Sequence, residues 1–153
     1  MASHQFVALN DQDVRFFDGG LPAPNAYLQK QAAADMARGR ALTVVAIETR
    51  SGQVTGFYTL APAVVQYHDP GSHADRQVRV IVLKYLAYDV KVEGVDHGSA
   101  LLADAQRRAR GSDVGAEIMV VETQTEQHSK DFARFGFARD PANPRRLFAR
   151  LGK

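Results

Sequence analysis

The chain has 153 residues, 45% hydrophobic and 24% charged, which suits a single globular domain over residues 1–153 with one sizeable core. It contains no cysteine, which excludes disulfides and thiolate metal sites. The net charge of +2 and pI of about 9.0 are too mildly basic to argue for nucleic acid on their own. No apolar run approaches the roughly 20 residues of a membrane-spanning helix. "MASHQFVALN" has no basic segment leading into an apolar one, so the chain reads as cytoplasmic, without membrane association.

"FVAL" near the start predicts a short strand. "FFDGGLPAPN" is a turn region, after which Asn25 is expected to cap one helix, "AYLQKQAAADMARG". Leu28, Ala32 and Met36 form its apolar stripe, and Gly39 is its natural stop. "RALTVVAIET", "RSGQ" and "VTGFYTLAPAVVQY" read as strand, turn and strand. "QYHDPGSHADRQ", Gln66 to Gln77, reads as a long loop. "VRVIVLKYLAYDV" is apolar almost throughout, as a central buried strand would be.

"GSALLADAQRRARG" then reads as an amphipathic helix, with Ala100, Leu101, Ala105 and Arg108/Ala109 recurring on one side. "AEIMVVET" predicts a buried strand and "TEQHSKDFARFG" a short helix that Phe132 and Phe135 would pack on a sheet. "FARDPANPRRLFARL" predicts one closing strand. The order, strand, helix, three antiparallel-type strands, helix, strand, helix, strand, predicts an α/β (α+β) domain around one mixed sheet.

The five histidines include no i, i+4 pair, and His68 and His73 in a loop are weak as metal ligands, so no metal site is expected. Arg107, Arg108 and Arg110 cluster, and Arg139, Arg145, Arg146, Arg150 and Lys153 crowd the C-terminus. Two readings of these stand: a solvated basic face, or contact with RNA phosphates or an acidic partner.

"VEGVDHGSALL" asks a sharper question. Glycines before a helix let successive N–H groups converge on a phosphate. Gly94 and Gly98 suit that role, whereas Asp96 brings a carboxylate into the same stretch. A carboxylate about 5 Å from a phosphate charge costs roughly 3 kcal/mol at an effective dielectric of about 20, before screening. Asp96 either takes that cost or points outward and caps the helix.

"LAYDVKVEGVDHGSALL" and "FARFGF" resemble the acetyl-CoA-binding and closing blocks of the GNAT N-acetyltransferase fold. "FFDGGLPAPNAYLQKQAAADMARG" and "GFYTLAPAVV" are similar to the opening blocks of one GNAT subgroup, the toxins of type II toxin–antitoxin pairs. The resemblance covers about Arg15 to Phe148. It implies the GNAT fold: a mixed, mostly antiparallel central sheet flanked by helices. It implies acetyl-CoA as cofactor, a primary amine such as that of aminoacyl-tRNA as acceptor, a ribbon-helix-helix antitoxin as partner, and a homodimer.

The resemblance also assigns residues. The backbone of Leu86, Ala87 and Tyr88 would pair with pantetheine, with one N–H polarising the thioester carbonyl. Glu93, Gly94, Val95, Asp96, His97, Gly98 and Ser99 would form the pyrophosphate loop. Glu93 stands where the family has Gln, Val95 where it has Arg, Asp96 where it has Gly, and His97 where it has an aliphatic residue. The family's general acid is a Tyr four residues before the Gly of the closing block, which here is Phe132 before Gly136. A phenyl ring donates no proton. Tyr85, Tyr88 and His128 are the substitutes, and Lys30, Arg38 and Arg40, with the C-terminal arginines, are candidates for steering tRNA. Two functions follow: an acetyltransferase of the toxin type, or a catalytically degenerate GNAT scaffold that binds protein or RNA.

Overall fold

The computed structural model describes residues 4–68, 75–92, 96–123 and 125–152. Within these lie β1 (His4–Ala8), α1 (Pro22–Lys30), α2 (Ala32–Ala37), β2 (Leu42–Glu48), β3 (Val54–His68), β4 (Asp75–Tyr88), α3 (Asp96–Arg110), β5 (Ile118–Glu122), α4 (Glu126–Arg134), β6 (Ala138–Asp140) and β7 (Asn143–Arg150). The strands form a seven-stranded mixed sheet in the order β1-β2-β3-β4-β5-β7-β6. Pairing is antiparallel in β1–β2, β2–β3, β5–β7 and β6–β7, and parallel in β4–β5. This is the expected mixed, mostly antiparallel sheet with helices.

Two compact units divide the chain: residues 1–61 with 84–105, and residues 62–83 with 106–153. In the first, β2 is rich in β-branched residues, and Thr43, Val44, Val45 and Ala46 are all buried. The hydroxyls of Thr43 and Thr59 meet at 2.7 Å across β2 and β3, where the two residues stand opposite one another. The core gathers Leu9, Phe17, Tyr27, Leu28, Ala32, Val45, Val54 and Phe57, with Met36 packed against it. Leu28, Ala32 and Met36 thus form the inner stripe read from their spacing.

The single helix expected after Asn25 is instead two. Pro22 opens α1, where its fixed φ suits a first turn, and the backbone breaks at Gln31, whose φ is −123°. Asn25 lies inside α1 and caps nothing. Its Oδ1 accepts the N–H of Gly19 at 2.8 Å, outside the helix. The capping expectation failed because the helix begins three residues earlier, at a proline that needs no side-chain cap.

Gly56 on β3 is a close-approach position. A Cβ there would stand 2.9 Å from Leu101 Cδ1 and 3.1 Å from the carbonyl oxygen of Ala87. The first part of α3 and the end of β4 therefore lie directly against β3. Tyr58 is buried on the same strand and donates to Asp104 Oδ2 of α3 at 2.5 Å.

In the second unit, Val78, Val80 and Val120 form a core with Ala63, Val65, Val82, Ile118 and Phe148. α4 is capped by Thr125, whose hydroxyl accepts the N–H of His128 at 3.1 Å. It ends before Gly136, whose φ of +92° favours a residue without a Cβ. Phe132 is half-buried and meets Phe137 edge-on at 5.4 Å, whereas Phe135 is 48% exposed. Phe135 does not pack as its spacing suggested, because it falls on the terminating turn.

The closing segment forms two strands rather than one, a hairpin of β6 and β7. The stretch read as a long loop is strand at both ends, since β3 reaches His68 and β4 begins at Asp75. His73 lies outside the described residues.

Candidate functional site

The end of β4 is the distinctive feature of the first unit. Pairing of β4 with β5 runs from Val80–Ile118 to Leu83–Val121 and stops, while β4 continues to Tyr88. Residues 84–88 thus carry one strand edge that β5 does not pair. The Asp89 N–H donates to the Thr55 carbonyl at 2.8 Å, so Asp89 faces β3. Peptide groups alternate along a strand. Ala87 therefore also faces β3, in keeping with its carbonyl beside Gly56, and the N–H and C=O of Leu86 and Tyr88 face the open edge.

Side chains divide the same way. Tyr85 and Ala87 pack onto the core of the first unit. The Tyr85 ring stacks on Tyr27 at 4.4 Å and lies 6.3 Å from Phe57. Tyr27 in turn donates its hydroxyl to Asp35 Oδ2 at 2.8 Å. Burial, then the Asp35 carboxylate, pushes the Tyr27 phenol well above its usual range. Hydrogen bonds from Gln31 and then Tyr27 hold the Asp35 carboxyl below its usual value. Tyr88 points elsewhere and is 40% exposed. Its ring stands 3.6 Å from where a Cβ on Gly98 would sit.

The chain leaves β4 through a tight turn at Asp89, 6% exposed, whose Oδ1 accepts the N–H of Lys91 at 2.9 Å and whose Oδ2 accepts that of Asp18 at 3.1 Å. Sequence reasoning missed this residue. Its signal is an aspartate directly after a strand, where the side chain can accept an N–H two residues on.

Of the candidate loop, Glu93, Gly94 and Val95 lie outside the described residues, and Asp96 is the first residue of α3. His97, Gly98 and Ser99 occupy that helix's first turn, half-buried. The Nε2 atoms of His97 and His4 lie 3.1 Å apart, with the rings edge-to-face at 4.5 Å. In this contact one ring nitrogen donates and the other accepts.

An open strand edge ending beside a helix N-terminus fits an acyl-CoA: the edge offers N–H and C=O groups to an amide-bearing arm, and the helix start offers N–H groups to phosphate. Among the described residues no group of three or more metal-ligating side chains occurs.

The remaining candidates belong to other elements. Phe132 and His128 belong to α4 in the second unit. Arg139 pairs with Glu126 at 2.7 Å and Arg146 with Glu122 at 2.8 Å, so these two cations are already matched. Lys30, Arg38, Arg40 and Arg150 are exposed. Among the described residues no helix is long and apolar enough to cross a membrane.

No family model matches the chain. It is 33% identical over 141 residues to the tRNA-acetylating toxin of Mycobacterium tuberculosis, covering 88% of this chain and 84% of that protein. Among solved structures it is similar to a tyrosine-to-phenylalanine mutant of the toxin AtaT (TM-score 0.85, 22% identity, 97% and 89% of the two chains). AtaT complexed with acetyl-methionyl-tRNAfMet matches at TM-score 0.83 with 21% identity over 97% and 95%. A tyrosine-to-phenylalanine mutant of KacT matches at TM-score 0.84 with 21% identity over 97% and 95%. A tyrosine-to-phenylalanine mutant of AtaT bound to the C-terminus of the antitoxin AtaR and acetyl-CoA matches at TM-score 0.81 with 22% identity over 97% and 93%. On the curated relative and the shared fold, the chain belongs to the family of the tRNA-acetylating toxins, the GNAT toxins of toxin–antitoxin systems.

Proposed function

We propose that the chain is an acetyl-CoA-dependent N-acetyltransferase of the toxin type, and that its acceptor is the primary amine of an aminoacyl-tRNA. The observation that carries this reading is the open edge of β4, with Leu86 and Tyr88 turned outward, running through the Asp89 turn toward α3. When bound, acetyl-CoA supplies the activated thioester. Leu86 and Tyr88 hold its pantetheine arm through backbone groups, and residues 93–99 hold its phosphates. A backbone N–H at the same edge is the natural donor to a carbonyl oxygen that gains charge.

Phe132 stands where a tyrosine acid is expected and can only pack. Tyr88, the more accessible of the two β4 tyrosines, is assigned the proton for the departing thiolate. Tyr85, stacked on Tyr27, serves to order the strand. Exposed Lys30, Arg38 and Arg40 steer the polyanion. A ribbon-helix-helix antitoxin is the expected partner, two copies of the chain the expected assembly, and the cytoplasm, where charged tRNA resides, the expected location.

Phe132 also favours a second reading, a GNAT scaffold that has lost catalysis and binds protein or RNA. One experiment separates the two: calorimetry with acetyl-CoA, followed by acetylation of charged tRNA by the purified chain. Binding near micromolar with transfer of acetyl to the aminoacyl group supports the enzyme. No binding at millimolar acetyl-CoA removes it and leaves the scaffold.

A further inference from the structure

We propose that Asp89 is a positioning residue for acetyl-CoA binding at the open edge, and that it locks the turn leaving β4, residues 89–92, to the turn at Asp18–Gly20 so that the two move as one piece. The inference rests on the acetyl-CoA reading above. Asp89 is buried, and the partners of its two oxygens are backbone N–H groups on two different segments, Lys91 of its own loop and Asp18 of the distant turn. The backbone repeats the link: the Val90 N–H donates to the Asp18 carbonyl at 2.8 Å, and the Val92 N–H donates to the Asp89 carbonyl at 2.9 Å.

The turn is itself rigidly built. Asp18 Oδ1 accepts the N–H of Gly20 at 2.9 Å and the Asn25 amide at 3.1 Å, while Asn25 Oδ1 accepts the N–H of Gly19. A Cβ on Gly19 would lie 3.1 Å from the Cβ of Ala87, so the turn sits against the very strand end that bears the open edge.

A buried carboxylate held by neutral N–H donors is a costly way to fasten a turn, and its yield is geometry. It fixes the direction in which the chain leaves β4. With Asp89 removed, the N–H groups of Asp18 and Lys91 both lose their side-chain acceptor.

Two variants test this. Asp89→Ala removes both acceptors, and Asp89→Asn keeps one acceptor and the size. Acetyl-CoA affinity is measured by calorimetry, and exchange of the Gly19 and Gly20 amides by NMR with and without acetyl-CoA. The expected result is a Kd raised about tenfold or more in Asp89→Ala and about threefold in Asp89→Asn, with KM for acetyl-CoA rising more than kcat falls. Acetyl-CoA should slow exchange at Gly19 and Gly20 in the native chain and not in Asp89→Ala.

A folded Asp89→Ala with Kd within about twofold of native overturns the proposal. If Asp89→Ala does not fold, Asp89→Asn decides: a lowered melting temperature with unchanged Kd reduces Asp89 to a structural residue. Native binding with unaltered variant binding removes this inference alone. A native chain that takes up no acetyl-CoA removes the functional reading, and this inference with it.

Discussion

Gly56→Ala tests how tightly β3, the end of β4 and α3 are held together. The new methyl would lie 2.9 Å from Leu101 Cδ1 and 3.1 Å from the Ala87 carbonyl oxygen. Both distances fall well inside ordinary carbon contact at about 3.5–4.0 Å. Leu101 is 1% exposed, and the Ala87 oxygen belongs to a strand. Overpacking of this kind costs about 1–3 kcal/mol. Loss of glycine's freedom in the unfolded chain returns about 0.4–1 kcal/mol. The net loss is about 1–2 kcal/mol, or roughly 2–8 °C in melting temperature for a chain of this size. Thermal and urea unfolding of the two proteins side by side measure it. Because the strain falls on Ala87, acetyl-CoA affinity should fall as well. A variant that melts at or above the native temperature would refute the close approach on which the placement of the β4 edge depends.

Gly98→Ala should behave oppositely: its Cβ meets Tyr88 at an ordinary 3.6 Å within a helix, so stability should hold or rise by up to about 1 kcal/mol, and a drop of several degrees would count against the geometry. A Val95→Arg, Asp96→Gly double variant should bind acetyl-CoA at least about tenfold more tightly at low salt, the gain shrinking as salt is added; equal affinity would dismiss the electrostatic argument. Phe132→Tyr should raise kcat by about tenfold or more with acetyl-CoA affinity unchanged if this position once held the acid, and an unaltered kcat would rule that out. Asp35 has a folded pKa held below its unfolded value of about 3.9, so its contribution is present above that pH and lost as pH falls through the folded pKa. Melting curves of native and Asp35→Asn should therefore converge on acidification below about pH 4, and a gap that widens there would contradict the sign.

Most elements were legible because their patterns are local. The β-branched run of β2, the Leu28–Ala32–Met36 stripe and the short helix α4 each follow from neighbours in sequence. The misreadings occurred where distant residues intervene. Asn25 looked like a cap, but its carbonyl serves Gly19. Phe135 shares helical spacing with Phe132, yet faces solvent at the turn closed by Gly136. The closing arginines are close in sequence, and only the fold shows that two of them are matched by carboxylates from β5 and α4.

The family and the mixed sheet are properties of residue order, and the sequence determined them alone: spacing, β-branching and turn residues act over a few positions. Which edge of β4 stays open, and which of Leu86, Ala87 and Tyr88 turns toward it, was decided only in three dimensions. Pairing with β5 stops at Leu83, and the hydrogen bond from Asp89 to Thr55 fixes the phase of every peptide before it. The Asp89 clamp is of the same kind, since one carboxylate there joins residues 71 apart in the chain. No local pattern encodes such a contact, because its partner is set by where the chain returns.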